Sequence, residues 1–400
     1  MKQDNPVQFQ TSEPFSLGVE IELQIVDKDN FTLVPKAPEI LAKVPTELKE
    51  RIKPEFIRSM VEVNTQVCAD VGQVKENLTH LIKLAEKIAD DNNCLLFATS
   101  LHPFAKYSEQ ELSSHPRYSR IMDDLQIVGR RFITQGLHVH VGMEDNDAAI
   151  RVCDSIRLFL PILLALTCSS PYYEGIDTGL HSYRAKLFEA LPLAGMPDEL
   201  GSWEQYIEMV TLLYNTGIIS EVRDLWWDVR PHPDFGTIEI RICDLPSNLN
   251  EILAIVALVQ GLVVNLTESD KHLNPNMQVL KSNKWQAARY GLEGRFVYPL
   301  LQKKISMQEA AGEIFTKAAP TMKQLGTDNY LPVLERIVET GTSSIQQRKF
   351  STDRKISLQL SKNFTQNSGN ETIKQSNSCH RTSIGERCGY RNITKRRQCL

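Results

Sequence analysis

The chain has 400 residues, 42% of them hydrophobic and 24% charged, and a formal net charge of −4. That balance describes an ordinary globular protein, and no overall positive field points to nucleic acid or to an anionic membrane as a partner. The 8 cysteines lie far apart without a CxxC pair, which argues against a zinc framework or a disulfide scaffold and suits a reduced, cytoplasmic protein.

In chain order, MKQDNPVQFQTSEPF has no apolar stretch, so no secretory signal is expected. FSLGVEIELQIVD follows and alternates as a half-buried strand does. Leu17, Val19, Ile21 and Leu23 share one face; Gly18, Glu20, Glu22 and Gln24 share the other. In MVEVNTQVC, Val61 and Val63 oppose Glu62, Asn64 and Gln66. A helix is expected over 74–92. In GLHVHVGM, Leu137, Val139 and Val141 oppose His138 and His140. Helical patterns then cover 147–166 and 203–211, with Pro- and Gly-rich loops at 169–179, 192–201 and 231–236. In GTIEIRICD, Ile238, Ile240 and Ile242 oppose Glu239 and Arg241, with Cys243 on the polar side. Further helices are expected over 249–269 and 307–318. Ser306 and Glu309 are spaced as a capping box for the last. The apolar runs 158–168 and 252–266 are too short to span a bilayer and read as buried helices.

Residues 348–400 stand apart. They hold 12 Lys and Arg against 3 Asp and Glu, which leaves 33 and 46 for residues 1–347. This basic, Ser/Asn/Thr-rich segment has no apolar period and reads as a solvated, disordered tail behind a folded unit of residues 1–347.

Each alternating strand alone is an antiparallel strand with a wet side. Together, their polar faces hold Glu20, Glu22, Glu62, His138, His140, Glu239 and Arg241, and no lysine. Carboxylates and imidazoles concentrated in this way suit a divalent cation, and the excess of carboxylate favours Mg²⁺ or Mn²⁺. An arginine beside a ligating glutamate is the natural partner of a phosphate oxygen. The chain has neither GxGxxG nor GxxxxGK[ST], so a nucleotide has to be held without a P-loop. The 5 body cysteines Cys68, Cys94, Cys153, Cys168 and Cys243 read as buried apolar residues.

Taken in order, LGVEIEL, EVNTQVC, GLHVHVG, DTGLHSYR and LWWDVRPHPDFGTIEIRICDLP resemble the type 2 glutamate–cysteine ligase family, the carboxylate–amine ligases, from about Phe15 to Arg348. The resemblance implies an α+β fold with a glutamine synthetase-like catalytic core, in which a curved antiparallel β-sheet lines the active site and helices pack on its outer face. It implies Glu20, Glu22, Glu62, His138 and Glu239 as metal ligands, and His140 and Arg241 as catalytic groups near the ATP phosphates. Arg230 and His232 become nucleotide contacts, and Tyr183 and Arg184 substrate contacts.

The activity implied uses ATP and Mg²⁺ to turn a carboxylate, that of the glutamate side chain, into an acyl phosphate that an amine, that of cysteine, then attacks. Small molecules are the expected partners, with no nucleic acid and no membrane, and a homo-oligomer suits the family. An HxH metal-dependent hydrolase and a non-catalytic nucleotide-binding relative are the alternatives. The same resemblance implies an apolar and acidic helix after GTSSIQQR, whereas this chain turns basic near Phe350, which reads as an altered or frameshifted end.

Overall fold

The computed structural model describes residues 7–269, 273–299 and 302–349. The basic segment set apart by the sequence lies, beyond Lys349, outside the described residues.

Seven strands form one open sheet: β1 Leu17–Asp27, β2 Ile52–Pro54, β3 Met60–Asn64, β4 Cys94–Phe97, β5 Leu137–Gly142, β6 Val229–His232 and β7 Thr237–Ile240. Their order is β6–β7–β5–β1–β3–β2, and β4 pairs with the C-terminal half of β1. Every pairing is antiparallel. The expected α+β class is therefore the one found. Pro231 is tolerated within β6 because that strand is an edge, where a missing N–H breaks no ladder. The β6–β7 hairpin closes on Gly236 at φ +62°, with the Gln10 carbonyl against its Cα; a side chain there would collide with that carbonyl.

The aliphatic face of the sheet packs on helices Val71–Asp90, Asn146–Ile156 and Leu249–Thr267. The last is buried on all sides, packed also by Met307–Gln324 and Leu331–Thr340. Among the described residues it is the one helix long and apolar enough to cross a membrane, and 83% of its apolar 18-residue stretch is buried as core.

Two helices differ from expectation near prolines. The pattern over 147–166 is broken at 157–159 and restarts as Leu160–Thr167. Pro161 cannot donate its backbone N–H, and its ring opposes the carbonyl of residue 157. Conversely, Met307–Gln324 runs through Pro320, because Thr321 and Met322 beyond it are buried against the core. Its capping box is as expected: Ser306 Oγ accepts from Glu309 N, and Glu309 Oε2 accepts from Ser306 N.

Candidate active site

Residues opposite one another in an antiparallel pair project to the same face, so the register assembles the site in rows. Gly18, His140, Glu239 and Arg230 form one row across β1, β5, β7 and β6. Asn64, Glu20 and His138 form the next, across β3, β1 and β5. Lys53, Glu62 and Glu22 form a third, across β2, β3 and β1. The predicted polar face is thus one continuous surface. It does carry a lysine, on the short strand β2 that the sequence pattern did not disclose. This face floors a cavity of about 610 Å³, whose walls include Glu55, Arg117, Tyr118, Phe188, Trp226 and Phe235.

Two clusters stand on that floor. In the first, ligand atoms of Glu20, His140 and Glu239 lie within 4.8 Å of one another. His140 Nε2 is 3.5 Å from Glu20 and 3.9 Å from Glu239, while Nδ1 meets Thr237 Oγ1 at 3.0 Å. His138 Nδ1 is 3.2 Å from Glu20. The resemblance implies His138 as the ligand; it adjoins Glu20, and His140 is the imidazole between two carboxylates. Its neighbour on β1 is Gly18, which leaves room for Glu20 to reach it, and its neighbour on β7 is Glu239 itself. Arg230 Nε donates to Glu239 Oε2 at 2.6 Å, and Arg241 donates to Oε1.

Burial alone would raise the Glu239 carboxyl, but Arg230 and Arg241 outweigh it and hold it well below the usual range. Burial likewise opposes the ionised form of Glu20, and the bonds with His138 and His140 override it. Burial pulls the His140 imidazole down, while Glu239 and Glu20 push it up further and win.

In the second cluster, Glu22, Glu55 and Glu62 bring carboxylate oxygens within 4.8 Å of one another. Their hydrogen bonds come from neutral groups: Gly136 N to Glu22 at 2.6 Å, Asn64 Nδ2 to Glu62 at 2.6 Å, and Tyr118 Oη to Glu55 at 3.0 Å. Burial, then repulsion from Glu20 and Glu55, drives the Glu62 carboxyl well up. Burial and the charge of Glu22 push Glu55 up to about 8. Glu55 escaped the sequence pattern because it lies just past the end of β2, outside any alternating strand.

Both clusters suit divalent cations. Three part-buried carboxylates that repel one another and two buried imidazole nitrogens that make no hydrogen bond, His138 Nε2 and His140 Nε2, form an oxygen-rich donor set of the kind Mg²⁺ takes. Carboxylate predominates, unlike the His-rich set of the hydrolase alternative.

The remaining predicted residues divide. His232 lines the cavity, with its ring stacked on exposed Phe235 at 4.1 Å. Arg230 reaches the cavity, but its donors are engaged by Glu239 and by the Arg223 and Leu225 carbonyls. Tyr183 and Arg184 lie outside the cavity lining. Tyr183 packs on Tyr173 at 5.1 Å, and Arg184 is buried against the chain that follows β7. The 5 body cysteines are buried as expected. Cys243 leaves the polar face because the strand ends at Ile240; it sits in the apolar core, and burial pushes its thiol up to about 12.

Residues 16–368 match the model of glutamate–cysteine ligase family 2. A protein of Gloeobacter violaceus with the provisional name glutamate–cysteine ligase 2 is 39% identical over 355 residues, covering 86% of this chain and 94% of its own. A relative from Solibacter usitatus, named in the same way, is 37% identical over 337 residues, 83% of this chain and 88% of its own. The crystal structure of a glutamate–cysteine ligase from Francisella tularensis in complex with AMP is similar at a TM-score of 0.65 and 15% identity, over 89% of this chain and 90% of that one. A bifunctional glutathione synthetase from Pasteurella multocida reaches 0.69 at 14% identity, over 89% of this chain and 53% of that one. At such identities the two solved structures speak for the fold alone.

Proposed function

The chain belongs to glutamate–cysteine ligase family 2 and is a ligase that forms carbon–nitrogen bonds, and on that premise we propose that it joins the γ-carboxylate of glutamate to the amine of cysteine with ATP as co-substrate. The observation that carries this reading is the pairing, on one sheet face, of a carboxylate cluster hydrogen-bonded by neutral groups and a carboxylate held by two arginines. The first suits a metal ion; the second suits a phosphoryl group beside one.

In the reaction, an oxygen of the substrate carboxylate attacks the γ-phosphorus of ATP. The bond from that phosphorus to the β–γ bridging oxygen breaks, and ADP leaves. The amine nitrogen then attacks the acyl carbon, inorganic phosphate departs, and the nitrogen loses its proton to leave an amide. Glu20, His140 and Glu239 would hold one cation with His138 adjoining, and Glu22, Glu55 and Glu62 a second. Mg²⁺, or Mn²⁺, supplies charge neutralisation between two anionic reactants when bound. Arg241, fixed through Glu239, presents its guanidinium to the transferring phosphoryl group and stabilises the charge that develops on it. His232 and Phe235 form an aromatic edge on which a base can stack. ATP as co-substrate suits a reaction in the cytoplasm.

The test is ADP release from Mg²⁺–ATP with glutamate plus cysteine, then with other carboxylate and amine pairs, against a Glu20→Ala, Glu22→Ala double variant. Amine-dependent release that disappears in the variant supports the ligase. Turnover only with another pair keeps the reaction class and replaces the substrates. Hydrolysis of amides without ATP would overturn the reading.

A further inference from the structure

The last paired residue of β7 is Ile240, opposite Val229. Arg241 and Ile242 form no ladder pair, although Ile240 and Cys243 on either side of them still meet β5, and their peptide groups lie in the interior and have to be hydrogen-bonded. They are served from two sides. The Asp228 carbonyl accepts Arg241 N at 2.8 Å and Ile242 N at 3.1 Å. From the opposite side the Arg184 guanidinium donates to the Arg241 carbonyl at 3.1 Å and to the Ile242 carbonyl at 3.2 Å.

Both anchors are themselves ends of buried ion pairs. Lys284, 3% exposed, donates to the two carboxylate oxygens of Asp228 at 2.9 and 2.6 Å. Arg184, also 3% exposed, stands 3.8 Å from Asp244. Asp244 in turn accepts from Ser169 N at 2.9 Å and from the hydroxyls of Ser170 and Ser182 at 2.8 and 2.9 Å. The Arg184 guanidinium passes so close to Gly136 that a Cβ there would lie 2.6 Å from it and 2.9 Å from His138 Nε2. The backbone makes way for this side chain.

Neither Lys284 nor Arg184 lines the cavity. Stability alone is a weak reason for such pairs, since apolar replacements of similar volume often leave a fold as stable or more so. What the two pairs do have in common is the one short piece of main chain that carries Arg241. We propose that Arg184 and Lys284 are positioning residues for Arg241: two buried ion pairs clamp its main chain from opposite sides and thereby set the guanidinium against Glu239 and the phosphoryl group. This rests on the reading of Arg241 as the group that meets phosphate.

The test is a double-mutant cycle on the full chain. Arg184→Met and Lys284→Met are made separately, alone and combined with Arg241→Ala. ADP release, with KM and kcat resolved, and the affinity for a non-hydrolysable ATP analogue with Mg²⁺ by calorimetry are both measured, with melting temperature as the control for folding. Each single variant is expected to lose about 10- to 100-fold in kcat, the scale of a small misplacement of a catalytic group. In the Arg241→Ala background the same substitution should cost less than about threefold further, in kcat and in analogue affinity alike. Equal losses in both backgrounds would mean a general structural role, and no loss in the parent background would mean no role; either overturns the inference while the ligase reading stands. If Arg241→Ala itself leaves turnover and analogue affinity unchanged, the reading of Arg241 fails and the clamp fails with it. Should one of the two variants not fold, the other runs the same cycle from the opposite side.

Discussion

The two ends of the cavity floor handle negative charge in opposite ways. At the Glu239 end, carboxylate, imidazole and guanidinium alternate across the row, and Glu239 is bonded by Arg230 and Arg241. At the Glu22 end, three carboxylates share a small volume and are bonded by an amide, a phenol and a peptide N–H. Burial drives the carboxyls of Glu55 and Glu62 up, whereas Glu239, more deeply buried than either, is held down. The same residue type on the same sheet face thus plays two parts. One end already has cationic side chains bonded to its carboxylate and can orient an anion beside a cation; the other has none bonded to its carboxylates and depends on added cations for its balance.

The strongest test of that contrast uses one substitution at both ends. Glu239→Gln removes the charge facing Arg230, which is buried, and should destabilise the metal-free protein by about 3–5 kcal/mol, the cost of leaving a buried charge unpaired. Thermal melts in chelator check it, and an unchanged melting temperature would mean that the balanced end is not balanced by this pair. Arg241→Ala comes next. Loss of one charge-stabilising group should lower kcat by about 10²- to 10³-fold with a smaller effect on melting, because Arg241 is the more exposed member of the pair. Steady-state ADP release measures it, and a change in KM alone would assign Arg241 to ground-state binding.

How much of this was legible in the sequence depends on what kind of pattern carried it. Period-2 alternation exposed the polar faces of β1, β3, β5 and β7, because aliphatics on the other side had to meet the core. Which residues stand opposite one another is a matter of register, which one strand at a time does not reveal; hence the Arg230–Glu239 pair went unseen. Helix Met277–Tyr290 was invisible to periodicity for a related reason. Its buried stripe includes Asn283 and Lys284, satisfied by the Val297 backbone and by Asp228, so the stripe does not look apolar. Helix Pro116–Leu125 has no buried residue to supply a period at all, yet Arg117 and Tyr118 on it wall the cavity. Arg184 carried the charge expected of a substrate contact, but its place was fixed by Asp244 and the stranded carbonyls after Ile240, partners that only the folded chain brings together.

The contrast also has a pH signature, against a background of opposite sign. His102 is buried with Nε2 donating to the Phe31 carbonyl and Nδ1 accepting from Ala105 N, and burial lowers its pKa to about 4. Below its ordinary pKa of 6.5 the unfolded chain takes up a proton that the native state refuses. Stability is then lost as pH falls from 6.5 through about 4, by at most about 1.4 kcal/mol per pH unit for one group. His102→Gln should flatten that acid limb in denaturant titrations at fixed pH; a limb of unchanged slope would assign it to other groups.

Glu55 acts in the other direction. Its folded pKa of about 8 stands above the ordinary 4.5, so its contribution is complete below 4.5 and is lost as pH rises through about 8, where the native state is forced to ionise beside Glu22. Glu55→Gln removes that forced ionisation while keeping an acceptor for Tyr118. In metal-free buffer at pH 8 to 9 the variant should be more stable than the parent, by about 1 kcal/mol once relaxation and solvent entry are allowed for. Added Mg²⁺ should raise the parent's melting temperature and do so less in the variant, because a cation bound only to the native state stabilises it in proportion to its affinity. The two signs together distinguish a cation site from an acidic patch. A surface patch would show relief on neutralisation without any loss of the Mg²⁺ response, and an ordinary structural carboxylate would show a loss of stability in both buffers.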